Sequence, residues 1–392
     1  MRLLMIVGNA DDIFIYNLAK WLKKYIDKLS IDVIEYNDSS VDGQGFSYEY
    51  YDNVCTIPRK NILCRLPFLS RYTYWYGINK ELENLLMNRK YDIIHCHYIL
   101  EIYAWINIEF IKSRCKKLYF SFWGGEWENG KCMRSNRLFK KRISHKIACS
   151  DGIVNGGKGM AKKMSSYGVT PTCFYGTFGS QPLEELYTML RFLTKNDSKE
   201  YWKFPEKKIA VQIGYSGKPQ HQYLEIINVL RRQLSLKEKI HLVAPMTRGG
   251  KTEYIDSVEL ELHNCGYTYT LLRDRFLSNT EMAHLRNAVD VVLQLTTVDG
   301  YSRSIVECLC AGSILIYGDW LDYDVKFKKD GFEGIGVSSI HDACKILENV
   351  VSNPGKFIQM SNANQKLGRG KYLWSECIKD WVAVYKGTAK PL

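Results

Sequence analysis

The sequence predicts an α/β protein built from two Rossmann-like domains. Three observations carry that reading. An apolar strand, an amphipathic helix and a second apolar strand open the chain at Leu3, the same alternation restarts at Ile209, and a polar stretch from Thr194 to Lys208 interrupts the pattern between them. With 392 residues the chain is long enough to bury two separate cores. The expected division is a first domain over residues 1–193, a linker over 194–208, a second domain over 209–371, and a helix with its tail over 372–392.

Charge and cysteine usage narrow the partners and the setting. A formal net charge of +12 and a pI near 9.0 point to an acidic partner: nucleotide phosphates, anionic headgroups or nucleic acid. The 12 cysteines include no CxxC pair, and Cys308 and Cys310 fall inside an apolar helical pattern. They read as small buried hydrophobes in a reducing compartment, not as a zinc site or a disulfide framework. The opening MRLLMIVG is too short for a secretory leader and reads as a core strand. No apolar stretch approaches the roughly 20 residues that span a bilayer, so any membrane contact is expected to be peripheral.

In chain order, residues 3–7 form the first strand, Gly8, Asn9 and Ala10 the turn, residues 13–25 a helix and residues 31–36 the next strand. Gly8 stands alone where a dinucleotide fingerprint needs three glycines, so no NAD site is expected. Asn9, Asp11 and Asp12 follow the first strand, and Asp11 or Asp12 can cap the helix. From Arg59 to Tyr76 the chain interleaves bases with Phe68, Tyr72, Tyr74 and Trp75, a composition suited to an anionic membrane surface or to single-stranded nucleic acid. The strand from Tyr91 ends in His95, Cys96 and His97; the two histidines share a face, but no third metal ligand is evident.

A further strand, residues 117–122, runs into Trp123, Gly124, Gly125, Glu126, Trp127 and Glu128. Two glycines permit close backbone approach there, and Glu126 can bind hydroxyls or act as a base. From Lys131 to Lys146 seven bases occur with no acid, interrupted by Leu138, Phe139 and Ile143 at near-helical spacing, as in a basic amphipathic helix for an anionic surface. Residues 147–150 read as a short strand, and Gly152, Gly156, Gly157 and Gly159 as turn glycines, since no Walker lysine pattern follows.

In the second half, residues 209–213 form a strand leading to Gly214, Tyr215, Ser216, Gly217 and Lys218, where glycine and serine amides can hold a phosphate. Residues 240–243 lead to Arg248 and Lys251, residues 269–272 form another strand, and Ser278 with Glu281 has capping-box spacing. The most informative stretch is VDVVLQLTTVDGYSRSIVECLCAGSILIYGD, residues 289–319, which reads as strand, polar turn, helix, glycine stop and strand. In a parallel sheet that turn lies where ligands bind. Ser302, Arg303 and Ser304 stand at the helix start, where free amides and the helix dipole favour a phosphate. Asp299 precedes the helix and Glu307 lies about a turn inside it, so one acid can reach a sugar and the other a ribose.

The pattern D-G-Y-S-x-S-x-x-E-x-x-x-x-G resembles the acidic-x7-Glu signature of retaining GT-B glycosyltransferases of family 4, with Asp299 in place of the usual Glu. The strand ending His95-Cys96-His97 and the Trp123-Gly124-Gly125-Glu126 turn resemble that family too, and Gly214 to Gly217 is similar to lipid-linked fucosamine-derivative transferases; the family's arginine in that loop is missing. The resemblance implies a GT-B fold: two Rossmann-like domains facing a central cleft, with a C-terminal helix crossing back to the first domain. It implies Asp299 on the donor sugar, Glu126 as a second catalytic candidate, and Gly214, Ser216, Gly217, Lys218, Arg248, Gly300, Tyr301, Ser302, Arg303, Ser304 and Glu307 on a UDP-, GDP- or dTDP-linked donor. Asn9, Asp12, His97 and Gly125 would meet the acceptor.

The expected function is sugar transfer, with retention of configuration, to a lipid-linked or oligosaccharide acceptor in bacterial cell-surface polysaccharide assembly, at the inner face of the cytoplasmic membrane. Lys218, Arg303 or Arg248 would balance the phosphate charge without a metal or other cofactor. Asp322-Tyr323-Asp324 has the spelling of a metal-holding D-x-D, but it does not follow a suitable strand. A non-catalytic GT-B-like or nucleic-acid-binding module and a nucleotide-sugar epimerase are the alternatives. Nucleic acid is not the expected partner, because an electrostatic binder needs no paired carboxylates.

Overall fold

The computed structural model describes residues 1–10, 12–35, 48–57, 70–97, 106–122, 137–154, 162, 164–165 and 168–392. They form two compact units, Met1–Gly179 with Trp374–Leu392, and Ser180–Leu373.

The first unit carries a parallel seven-stranded sheet of β1 (Arg2–Val7), β2 (Ser30–Glu35), β3 (Asn53–Thr56), β4 (Tyr91–His97), β5 (Cys115–Ser121), β6 (Gly152–Val154) and β7 (Cys173–Phe174), in the order β3-β2-β1-β4-β5-β6-β7. Strand β1 is apolar on both sides because both faces of the sheet are covered. Leu4 and Ile6 join Leu82, Leu86, Ile94 and Phe120 in one core, while Leu3 and Met5 join Leu18, Leu22, Ile93 and Tyr119 in another. The second core is closed by the helix Trp374–Lys386, whose Trp374 and Trp381 are fully buried beside the helix Ile13–Tyr25. The C-terminal helix thus returns to the first unit, as expected, beginning at Trp374 rather than at 372.

The second unit carries a parallel six-stranded sheet of β8 (Ile209–Ile213), β9 (Ile240–Pro245), β10 (Thr268–Leu272), β11 (Val291–Gln294), β12 (Ile314–Gly318) and β13 (Ile335–Val337), in the order β10-β9-β8-β11-β12-β13. Val291 in β11 pairs with Val211 on one side and Ile314 on the other, so β11 is central and wholly buried.

Two sequence expectations change. The stretch 194–208 is not a linker: it holds a capped helix, Lys195–Tyr201, inside the second unit, with Ser198 and Phe204 buried. Its charges misled because they are paired. Lys195 and Lys199 contact Asp290 at 2.9 and 2.8 Å, and burial, which alone would raise the Asp290 carboxyl, is outweighed by the two ammoniums, which hold it below the usual range. Residues 147–148 end the helix Arg137–Ala148, and the strand follows at Gly152. That helix buries Ile143 and Ile147 in the first unit's own core, leaving Lys141 and Arg142 outside. Its apolar side therefore serves the fold, so only its cations remain for a membrane surface.

Among the described residues, no helix is long and apolar enough to cross a membrane. Trp381 has no exposed surface, and its Nε1 donates to the Thr177 carbonyl at 3.0 Å. Trp381→Ala is expected to cost about 3–5 kcal/mol in the urea unfolding of the first unit. A wild-type midpoint would show that the helix adds little.

Candidate functional site

The strand order of the second unit locates its crevice before any residue is considered. The chain builds outward from β8 to β10, then steps back across β8 to β11, so the loops after β8 and β11 leave the sheet in opposite directions at their carboxyl ends. These loops, residues 214–222 and 295–302, are stitched together. The Thr296 hydroxyl and the Thr297 amide both donate to the Gln220 carbonyl at 2.9 Å.

Asp299 stands at the meeting point. Its Oδ1 accepts from the Tyr215 hydroxyl at 2.9 Å; its Oδ2 accepts from Gln294 Nε2 at 3.1 Å, from the Ser302 amide at 3.2 Å and from the Tyr323 hydroxyl. The Ser302 contact places the carboxylate at the start of the helix Arg303–Cys310 and satisfies one of its free amides. Oδ2 is saturated, whereas Oδ1 keeps one acceptor direction. Burial, followed by the neighbouring charge of Asp299, raises both tyrosines above their ordinary value and keeps them neutral donors. Tyr215, Gln294 and Tyr323 were missed in the sequence. The readable signal was Gln294, a polar residue closing an apolar central strand.

Glu307 takes a different direction from the one its spacing implied. It is 7% exposed and faces Arg286, whose Nε and Nη2 lie 3.2 Å from Oε2, while Ser180 Oγ donates to Oε1 at 2.7 Å. Arg286 is itself buried and donates to Gln212 at 3.3 Å. The acid expected to meet a ribose is instead half of a buried ion pair.

The β8 loop is shaped by close backbone approach. Gly214 has φ +62°, and a Cβ there would stand 2.7 Å from the Tyr223 hydroxyl. Gly217 packs on Gly250, and its amide donates to the Arg248 carbonyl at 2.9 Å, so that amide holds the β8 and β9 loops together rather than a phosphate. Lys218 lies along Gly249, where a Cβ would come within 3.0 Å of its Cε. Two exposed cations, Lys218 and Arg248, thus lie on adjoining loops. The Ser216 hydroxyl faces His221 Nε2 at 2.9 Å instead of the crevice.

Around the helix start, Gly300 is open: a Cβ there would meet no atom within 4 Å. Tyr301, at φ +75°, packs its ring against Tyr323 and Phe327, and Arg303 lies over Tyr372 at 5.1 Å. Ser302 and Ser304 are half-buried at the first turn. Asp324 of the D-x-D spelling accepts from Tyr317, and Tyr323 between the acids points inward to Asp299.

In the first unit, Asp12 caps the helix Ile13–Tyr25 by accepting from the Phe14 amide at 2.8 Å, and the Asn9 carbonyl accepts from the Asp12 amide at 3.4 Å. His97 is fully buried and stacked on His95 at 4.0 Å; burial lowers its pKa to about 3, so it is a neutral core ring. Asp11, Gly125 and Glu126 lie outside the described residues. Among the described residues, Glu109, His145 and Cys149 lie at this unit's surface with one donor atom each within 4.8 Å of the others.

No protein-family model matches the sequence, and none of the curated proteins matches it. Solved structures do. Sucrose-phosphate synthase from Thermosynechococcus elongatus matches with a TM-score of 0.70 at 10% identity, over 99% of each chain. HepE of Anabaena in complex with UDP-glucose matches with a TM-score of 0.61 at 11% identity, over 99% of this chain and 100% of that one. The α,α-trehalose 6-phosphate synthase of Burkholderia multivorans matches at 0.64 and 12% identity, over 98% of each. At such identities the likeness shows the fold: two parallel-sheet α/β domains of the GT-B class.

Two outcomes follow from this geometry. Glu307→Ala leaves Arg286 buried without its partner and should cost about 3–5 kcal/mol of stability in chemical unfolding, with little loss of ligand affinity in the folded fraction. A stable variant with selectively weakened nucleotide binding would return Glu307 to the ligand. Burial lowers His221 from an ordinary 6.5 to about 4. The unfolded chain takes up that proton near pH 6.5 and the folded chain only near 4, so this contribution is complete above pH 6.5 and is lost as the pH falls through that window. His221→Asn should flatten the stability profile between pH 6.5 and 4; an unchanged slope would exclude His221 as its source.

Proposed function

We propose that this chain is a nucleotide-sugar-dependent glycosyltransferase. The observation that carries the reading is the crevice of the second unit, where exposed Lys218 and Arg248 adjoin loops held by Asp299. HepE, a structural neighbour, is described in complex with UDP and UDP-glucose, which favours a UDP-linked donor over the GDP- or dTDP-linked ones. The acceptor is proposed to be lipid-linked or an oligosaccharide, in bacterial cell-surface polysaccharide assembly at the inner face of the cytoplasmic membrane. The exposed cations Lys141 and Arg142 would contribute electrostatic attraction to that surface.

In this mechanism the two cations neutralise the diphosphate as it leaves, which takes the place of a metal ion. The Ser304 amide, in the half-buried first turn, is offered to the same anion, the Ser302 amide being taken by Asp299. The remaining acceptor direction of Asp299 Oδ1 takes a sugar hydroxyl and sets negative charge near the developing cationic carbon, consistent with transfer that retains configuration. Glu126 stays the second catalytic candidate, to bind acceptor hydroxyls or act as a base, with Gly125 next to it in the sequence; Asn9 and Asp12 would act through the loop they shape.

Ligand binding tests the donor assignment. UDP at about 100 times its dissociation constant should stabilise the protein by roughly 2.7 kcal/mol, equally with magnesium or EDTA, and more than GDP or dTDP. Lys218→Ala and Arg248→Ala should each weaken UDP about 10- to 100-fold, the value of one charge-assisted contact. No stabilisation by any of the three nucleotides would remove the donor site from the account.

A further inference from the structure

Trp320 has no part in the proposed transfer, yet it occupies the same carboxyl edge of the sheet. It lies in the short turn Asp319–Leu321 after β12. Its ring is held on two sides. The indole Nε1 donates to the Thr296 carbonyl at 2.8 Å, and the ring lies so close over Gly318 that a Cβ there would stand 2.2 Å from Cζ2 and 2.3 Å from Cε2. Thr296 lies three residues before Asp299, and Tyr323, three residues after Trp320, donates to Asp299. The segments 296–299 and 320–323 are therefore fastened at both ends, and Trp320 has a fixed mount beside the carboxylate.

Despite these restraints, Trp320 is 40% exposed, whereas its neighbours Leu321 and Tyr323 are buried. The polar tip is satisfied, but much of the ring's apolar surface is left to solvent. Asp319 and Asp322 flank it, both exposed. An exposed apolar ring with exposed acids one and two residues away along the chain matches one ligand class well. A pyranose packs its C–H face on an aromatic ring and donates its hydroxyls to carboxylate oxygens. The same carboxylates repel acidic sugars.

We infer that Trp320 is the stacking platform of a sugar subsite beside Asp299, selecting neutral or amino pyranoses over acidic ones. The inference rests on the nucleotide-sugar reading above. The ring it holds belongs either to the donor or to the acceptor, and the chemistry is common to both.

The test titrates the full chain and three variants, Trp320→Ala, Trp320→Phe and Gly318→Ala, by calorimetry. Gly318 has φ −69°, so alanine suits its backbone but its Cβ displaces the indole. The probes are UDP, a panel of neutral UDP-hexoses, and methyl glycosides of neutral hexoses and of glucuronic acid in the presence of UDP. UDP affinity should stay within about twofold, while Trp320→Ala and Gly318→Ala weaken sugar binding about tenfold and Trp320→Phe retains most of it. Loss in the UDP-hexose arm assigns the donor ring; loss in the methyl glycoside arm assigns the acceptor. Unchanged sugar affinity in both variants overturns the platform, as does glucuronide binding as tight as the neutral glycosides. A wild type indifferent to UDP overturns the donor reading instead, and the methyl glycosides then decide the platform alone.

Discussion

The candidate site depends on one carboxylate. Asp299 accepts four hydrogen bonds, three of them on Oδ2, from residues that follow β8, close β11, begin the next helix and follow β12. A parallel sheet opens a crevice at its switch point, but the loops that border it have no ladder to hold them. Here an anion supplies the order. Two tyrosine hydroxyls, an amide side chain and a helix amide converge on it, each bond strengthened by its charge. Removing the carboxylate would take the acceptor from two tyrosine hydroxyls and a helix amide and leave buried Gln294 Nε2 only the Tyr323 hydroxyl at 3.3 Å, which is costlier than the loss of one contact.

The rest of the second unit shows the same use of charge in its interior. Arg286 and Glu307 are paired beneath the helix that follows Asp299, and Lys199 and Asp290 are paired at the opposite end of β11. Such pairs do not by themselves add much stability, yet each resists the loss of a single partner. The Arg286–Glu307 pair fixes the helix Arg303–Cys310 from below while Asp299 fixes its start. The acidic-x7-Glu spacing is thus met with divided labour: the first acid borders the crevice and the second anchors the helix.

How much of this was legible in the sequence follows from what sequence patterns encode. Strand and helix alternation is a periodicity, so the helix Ile13–Tyr25 and the strands Tyr91–His97 and Ile209–Ile213 were readable to within a residue. Lys195 and Lys199 were not, because a polar composition looks the same in a linker and in a capped helix whose lysines find Asp290. Spacing likewise placed Glu307 on the right helix without giving the direction of its side chain. Tyr215 and Tyr323 are far apart in sequence and meet only through Asp299. His97 ended a strand near a switch point, as a ligand-binding histidine would, but packing against His95 and Trp381 makes it core.

In the proposed transfer the edge of one sheet would supply cations for a diphosphate, an anion that orders the loops, and a tryptophan mounted near it. The anion is the part on which the others rest. The most direct measurement is a double-mutant cycle combining Tyr215→Phe with Asp299→Ala, read as UDP-hexose affinity and as unfolding free energy. If Asp299 fastens the β8 and β11 loops through Tyr215, the two changes should be coupled by about 0.5–3 kcal/mol. Additive effects, or affinity unchanged in Asp299→Ala, would contradict it.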